Sequence, residues 1–220
     1  MAADRRNGNR LRHALGVAAL LLCALLVGVV TAVLGVRNQF AAGGVRSGTW
    51  QTNANIGSSG AGPYLRAGVA IGGLLALNAS ETVYYTATTD DAGQPLSTSC
   101  QYRVEGTEPA TRWWSITAYA DDNFLIQGSN GRYSVDKTSV EKGADGSFVV
   151  HVGGEPRAGN WISTGPPDGG HPFSLTLRLY RVTTASLARE WRMTLVRASC
   201  AIRNTCVSVC SSSRPWISEW

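Results

Sequence analysis

With 220 residues, 44% of them hydrophobic, the chain can form one domain with a sizeable core beyond an apolar lead segment, rather than two. Its formal net charge of +5 is carried by the ends. Residues 1–36 hold four arginines against Asp4, residues 37–180 hold ten basic against twelve acidic groups, and residues 181–220 hold six arginines against Glu190 and Glu219. The slightly acidic centre offers no phosphate-tracking face, which excludes a nucleic-acid partner.

Residues 1–14 form a basic head with Arg5, Arg6, Arg10 and Arg12, and residues 15–36 follow without a charge. As a helix rising about 1.5 Å per residue, this run spans roughly 33 Å, close to the hydrocarbon thickness of a bilayer. A cleaved secretory signal has a shorter apolar region, of about 7–15 residues, and a small-x-small cleavage site, which this run lacks. A core helix would carry a polar face, and this run has none. The reading is an uncleaved, single-pass inner-membrane helix whose partner is the lipid bilayer. Arginines concentrated before the span hold the amino end in the cytoplasm and place the main domain in the periplasm.

Residues 37–62 are rich in Gly, Ser and Asn and read as a linker. The segment Gly57-Ser58-Ser59-Gly60-Ala61-Gly62 lacks the preceding strand and the lysine of a phosphate loop. Pro63 opens an apolar helix over 64–77, too short to cross a bilayer, in which Gly68 and Gly72 permit close approach to a sheet. Strands are expected at 82–89 and 99–104, with Asp90-Asp91-Ala92-Gly93 as the turn. Residues 113–119 alternate, with Trp114, Ile116 and Ala118 on one face and Trp113, Ser115, Thr117 and Tyr119 on the other. Asp121-Asp122-Asn123 turns the chain into 124–127, and Ser129-Asn130-Gly131 signals a hairpin. Asp145-Gly146 leads into a strand over 147–152. In the clearest half-buried strand, Phe173, Leu175, Leu177 and Leu179 alternate with Ser174, Thr176, Arg178 and Tyr180. The pattern predicts a mainly β fold, a jelly-roll-like sandwich behind a short helix, spanning residues 63–182.

Chemistry is sparse. Cys23 lies in the span and reads as a small apolar residue. Cys100, Cys200, Cys206 and Cys210 would face an oxidising compartment, where disulfides persist, and the sequence leaves their pairing open. A zinc site at Cys200-x5-Cys206-x3-Cys210 matches no familiar spacing. His151 and His171 lie apart, so neither a metal nor another cofactor is expected. Asp90/Asp91 and Asp121/Asp122 read as turn formers. The ligand-binding candidates are aromatic and polar residues that a core does not need: Ser115, Thr117 and Tyr119 on one face, Asn160-Trp161 in a Gly/Pro-rich loop, Arg178 and Tyr180 on one strand, and Arg132. Such groups suit a sugar, a carboxylate or an aromatic ligand. In the competing reading the aromatics pack the sandwich and Arg178 pairs with Glu81 or another carboxylate.

The segments Ala76-Leu77-Asn78-Ala79-Ser80-Glu81-Thr82-Val83-Tyr84-Tyr85, Trp114-Ser115-Ile116-Thr117-Ala118-Tyr119, Arg132-Tyr133-Ser134, Asp145-Gly146-Ser147, Asn160-Trp161 and Leu177-Arg178-Leu179-Tyr180 come in a recognisable order. Together they make the chain resemble the bacterial family catalogued as domain of unknown function 1214. The resemblance implies a β-rich, jelly-roll-like domain in the short membrane-anchored form, and it carries no reaction or catalytic residue. Residues 183–220 depart from it as an Arg/Ser/Cys-rich tail, either a disulfide-stapled extension or the product of a reading-frame shift near Glu190. Two functions follow from the sequence. The first is an envelope domain that binds a small molecule, a glycan or a protein partner. The second is an envelope enzyme acting on a carbohydrate-like or small polar substrate in a cleft lined by Arg178, Asn160 and Tyr119.

Overall fold

The structure is a computed structural model describing residues 2–39, 44–53, 55–72, 76–128, 131–166, 169–182 and 193–200. Helix α1, Ala2–Gln39, is apolar and long enough over Arg12–Asn38 to cross a membrane, and none of that window is buried against the rest of the chain. Leucines such as Leu20 and Leu25 stand on its surface without protein cover, as a helix surrounded by lipid requires. Cys23 is free and exposed there.

Ten strands follow among the described residues: β1 (Gly44–Ser47), β2 (Trp50–Asn53), β3 (Thr82–Ala87), β4 (Cys100–Thr107), β5 (Trp113–Ala120), β6 (Ser134–Asp136), β7 (Ser147–Gly153), β8 (Trp161–Ser163), β9 (Phe173–Tyr180) and β10 (Met193–Cys200). One helix, α2 (Pro63–Ile71), lies between β2 and β3. A six-stranded sheet in the order β1-β2-β3-β9-β5-β6 faces a four-stranded sheet in the order β10-β4-β7-β8. The named strand pairs are antiparallel except β7 with β8. The alternations in β5 and β9 place their apolar faces inward. Trp114, Ile116, Leu175, Leu177 and Leu179 are essentially inaccessible and join Tyr102, Val104, Phe148 and Val150 in one core. Trp114 stacks on Phe148 with ring centroids 5.0 Å apart.

Three expectations are corrected. The presumed linker at 37–62 contains a hairpin. Ser47 pairs with Trp50 across a two-residue turn in which Gly48 has φ +59°, the backbone a Gly-first hairpin turn demands. Trp50 is fully buried and its Nε1 donates to the Met193 carbonyl at 2.9 Å, so this segment closes the core. Helix α2 stops at Ile71 rather than running to 77, with the Gly72 amide bonded to the Gly68 carbonyl at 2.9 Å. The 124–127 segment forms only an isolated bridge between Leu125 and Tyr119. The hairpin signal at Ser129-Asn130-Gly131 falls partly outside the described residues, and β6 pairs with β5.

The sequence also marked no element after Tyr180, yet β10 runs along β4 with one register shift. Met193 and Leu195 enter the core, and a disulfide joins Cys200 to Cys100. Asp91 reinforces this edge. Its amide donates to the Leu195 carbonyl at 3.0 Å, and its carboxylate accepts from the Leu195 amide at 2.9 Å. The disulfide removes Cys200 from any zinc set. Cys206 and Cys210 lie outside the described residues.

Candidate functional site

The outward face of the six-stranded sheet is built by the same alternation that fills the core. Register sets Thr82, Tyr180 and Trp113 in one row, Tyr84, Arg178 and Ser115 in the next, and Thr86, Thr176 and Thr117 in a third. Tyr119 then stands opposite Ser174. Helix α2 covers part of this face through a small second core of Ile56, Leu65 and Tyr84. The glycine spacing of α2 serves the approach, since Gly68 is buried and Gly72 ends the helix. The end of α1 leans on α2, and a Cβ at Gly35 would sit 3.1 Å from the Tyr64 ring.

Between the helices and the exposed remainder of the sheet lies a cleft of about 910 Å³, within the usual range for small-molecule sites. Its floor is polar, with Gln51, Thr86, Thr176, Ser174, Tyr119, Arg178 and Tyr180. The helix side is apolar: Ile56, Gly68, Ile71, Gly72 and Leu77, with Val36 and Arg37 from the end of α1. The described lining residues include two arginines and no Asp, Glu, His or Cys.

Arg178 is the centre of the floor. Its Nη1 donates to Thr117 Oγ1 at 3.2 Å, its Nη2 donates to the Tyr119 hydroxyl, and its Cζ lies 5.4 Å from the centre of the Tyr119 ring. These partners are neutral. Glu81, the carboxylate offered by the competing reading, instead meets Arg181 at 3.5 Å. A guanidinium carries five N–H donors in a fixed fork, so after these two bonds Arg178 keeps donors for an acceptor in the cleft. The tyrosine and threonine behind it hold the fork in place, and Tyr180 is in turn packed edge-on by Trp113 at 5.2 Å.

The other candidates divide clearly. Tyr119, Arg178 and Tyr180 line the cleft. Thr117 supports Arg178 from a buried position, and Ser115 is enclosed beside it. Arg132 is exposed ahead of β6, away from the cleft lining. Asn160 and Trp161 belong to the other sheet. Asn160 accepts from the Glu141 amide at 2.7 Å and donates to the carbonyls of Glu141 at 2.7 Å and Val149 at 3.0 Å, which uses its amide as a clamp. Trp161 Nε1 donates to the Gly153 carbonyl at 3.0 Å. A cleft shared by Arg178, Asn160 and Tyr119 is therefore not formed. Gln51, Tyr84, Thr86 and Thr176 were not among the sequence candidates. Alternation along β3 and β9 marks the last three, whereas Gln51 sat in the presumed linker.

Several other charged groups serve the fold. Asp90 Oδ1 accepts from the amides of Ala92 at 3.1 Å and Gln94 at 2.8 Å, and Asp122 accepts from Phe124 at 2.9 Å. Glu108 is held below the usual carboxylate range by the Lys142 hydrogen bond, with Lys137 3.2 Å away. His151 is pushed below the ordinary imidazole value by burial and then by Arg157 and Arg103. No cluster of three metal-ligating side chains occurs among the described residues.

Residues 81–184 match the family described as "Protein of unknown function (DUF1214)". This segment belongs to DUF1214. The DUF1214 segment supplies the Tyr84, Tyr119 and Arg178 floor, whereas Gln51 and the helices beside the cleft precede it. No curated protein matches the chain. The solved VPA0106 protein from Vibrio parahaemolyticus is similar at 21% identity and a TM-score of 0.51, over 62% of this chain and 35% of that one. An uncharacterized protein from Burkholderia cenocepacia aligns at 16% identity and a TM-score of 0.42, over 80% of this chain and 42% of that one. The chain thus spans well under half the length of both.

Proposed function

We propose that the protein is a single-pass inner-membrane protein whose jelly-roll-like domain faces the periplasm and binds a small anionic molecule in the cleft above Arg178. The carrying observation is a partly buried arginine held by neutral partners, in a cleft whose described lining has no carboxylate. An anion there gains charge-assisted hydrogen bonds from a fork already oriented by Thr117 and Tyr119. Tyr119 and Tyr180 add flat faces and hydroxyls suited to sugar acids or other polar carboxylates. Export agrees with the arginines ahead of the span and with the Cys100–Cys200 disulfide, which an oxidising compartment preserves. Binding is favoured over catalysis because the described lining offers arginine and tyrosine but no carboxylate or imidazole to move a proton near neutral pH.

The test is thermal-shift profiling of the detergent-purified full chain against small carboxylates, sugar acids and neutral glycans. Anions should raise the melting temperature of the wild type. Arg178→Ala should abolish that rise while its ligand-free melting temperature stays within about 3 °C of wild type, a shift of about 1 kcal/mol for a domain of this size. Equal responses from both proteins would refute the assignment.

A further inference from the structure

The geometry points to a narrower ligand class, resting on the binding reading above: a single-chain amphiphile with an anionic head, its acid on Arg178 and its chain along the apolar helix side. The two sides of the cleft differ in chemistry. The sheet floor presents hydroxyls and Arg178, whereas α2 and the chain after it present Gly68, Ile71, Gly72 and Leu77. Ile71 is 72% exposed and Leu77 49% exposed, although both line a concave surface rather than a flat one. An apolar rim left open above a polar floor is matched by a molecule that is itself apolar along one side and charged at one end.

Position supports the same occupant. Val36 and Arg37, where the apolar run of α1 ends, line this cleft. The opening therefore lies where the membrane segment gives way to the domain, within reach of molecules that partition into a bilayer. Arg37 adds a second positive charge, and no described lining residue opposes it. A purely hydrophilic sugar would leave Ile71, Leu77 and Val36 facing water, and a neutral lipid would leave Arg178 without its acceptor.

The experiment uses the full chain in phosphatidylcholine nanodiscs. Titration calorimetry follows n-alkyl carboxylates from butyrate to dodecanoate and neutral dodecanol, with heats of partition taken from empty nanodiscs. Affinity should rise about fourfold per added methylene while the chain lies along the apolar side. Dodecanol should bind at least about tenfold more weakly than dodecanoate once partition is subtracted, and Arg178→Met should weaken dodecanoate by a similar factor. Ile71→Asn, a neutral polar change at an exposed position, should reduce the gain in affinity per added methylene between butyrate and dodecanoate. Butyrate binding as tightly as dodecanoate overturns the amphiphile while the small-anion reading stands. Absence of both interactions overturns the two together. Dodecanoate binding that ignores Arg178→Met also overturns the proposal, because the chain alone would then account for it.

Discussion

Cutting the Cys100–Cys200 disulfide with Cys200→Ser should be among the most costly single changes outside the core. The bridge joins residues 100 positions apart, so it closes much of the domain into one loop and restricts the unfolded chain accordingly. The chain-entropy treatment gives about 4.7 kcal/mol for a loop of this length, and measured losses of native bridges run at about 2–5 kcal/mol. Cys200 is exposed, so the serine itself adds little strain. Met193 and Leu195 keep β10 in the core, and the two Asp91 bonds to Leu195 remain. The loss is therefore expected in the unfolded state more than in the native contacts. With a urea dependence of about 2 kcal/mol per molar, the unfolding midpoint followed by tryptophan fluorescence should fall by about 1–2 M. A steeper transition should accompany it, because the released chain exposes more surface. Dithiothreitol should move the wild type to the same midpoint and leave the variant unmoved. A fall below about 0.5 M would refute loop closure as the source of the stability.

Three further outcomes follow from the same structure. Trp50→Ala should cost about 3–5 kcal/mol in urea unfolding, since Trp50 is fully buried and bonded to the Met193 carbonyl; a change under about 0.5 kcal/mol would restore the linker reading. Asn160→Ala should lower stability by about 2–4 kcal/mol, because the three hydrogen bonds of a buried amide are lost, without changing anion affinity. Weaker binding at unchanged stability would return Asn160 to a ligand site. His151 is held neutral in the fold by burial, Arg157 and Arg103, so the unfolded chain takes up its proton first. That contribution is present above the unfolded value near 6.5 and is lost as pH falls through the lowered folded value. Melting temperature should therefore drop on acidification below pH 6.5, more steeply for the wild type than for His151→Gln.

Much of the cleft floor could be read from sequence because period-two alternation is a local property. Along β5 and β9, each apolar residue sent inward sends Tyr119, Arg178 or Tyr180 outward, whatever the rest of the chain does. The pairing of β3 with β9 rests on long-range register, so Tyr84 and Thr86 were not recognised as neighbours of Arg178 and Thr176. Composition misled at 37–62. Glycine, serine and asparagine outnumber apolar residues there, but the turn at Gly48-Thr49 between Val45 and Trp50 carried the hairpin. Asn160 misled for a different reason. A polar side chain in a Gly/Pro-rich loop suits a ligand and a backbone clamp equally, and only tertiary contacts distinguish them. At 64–77 the apolar character continues past the point where Gly72 ends the helix, so hydrophobicity alone placed the boundary too late.

The hairpin inside the presumed tether alters the mechanics of the whole molecule. Only residues 40–43 separate α1 from β1, and an extended chain covers at most about 3.6 Å per residue. With α1 across a bilayer, the domain would be leashed to within roughly 20 Å of its anchor. So anchored, it would not sweep its surroundings for partners as a receptor on a long tether does. On the membrane-anchored reading proposed above, its working volume would be a thin layer at the lipid surface, so lateral diffusion in the plane of the membrane, rather than the swing of a linker, would set how often it meets anything it binds.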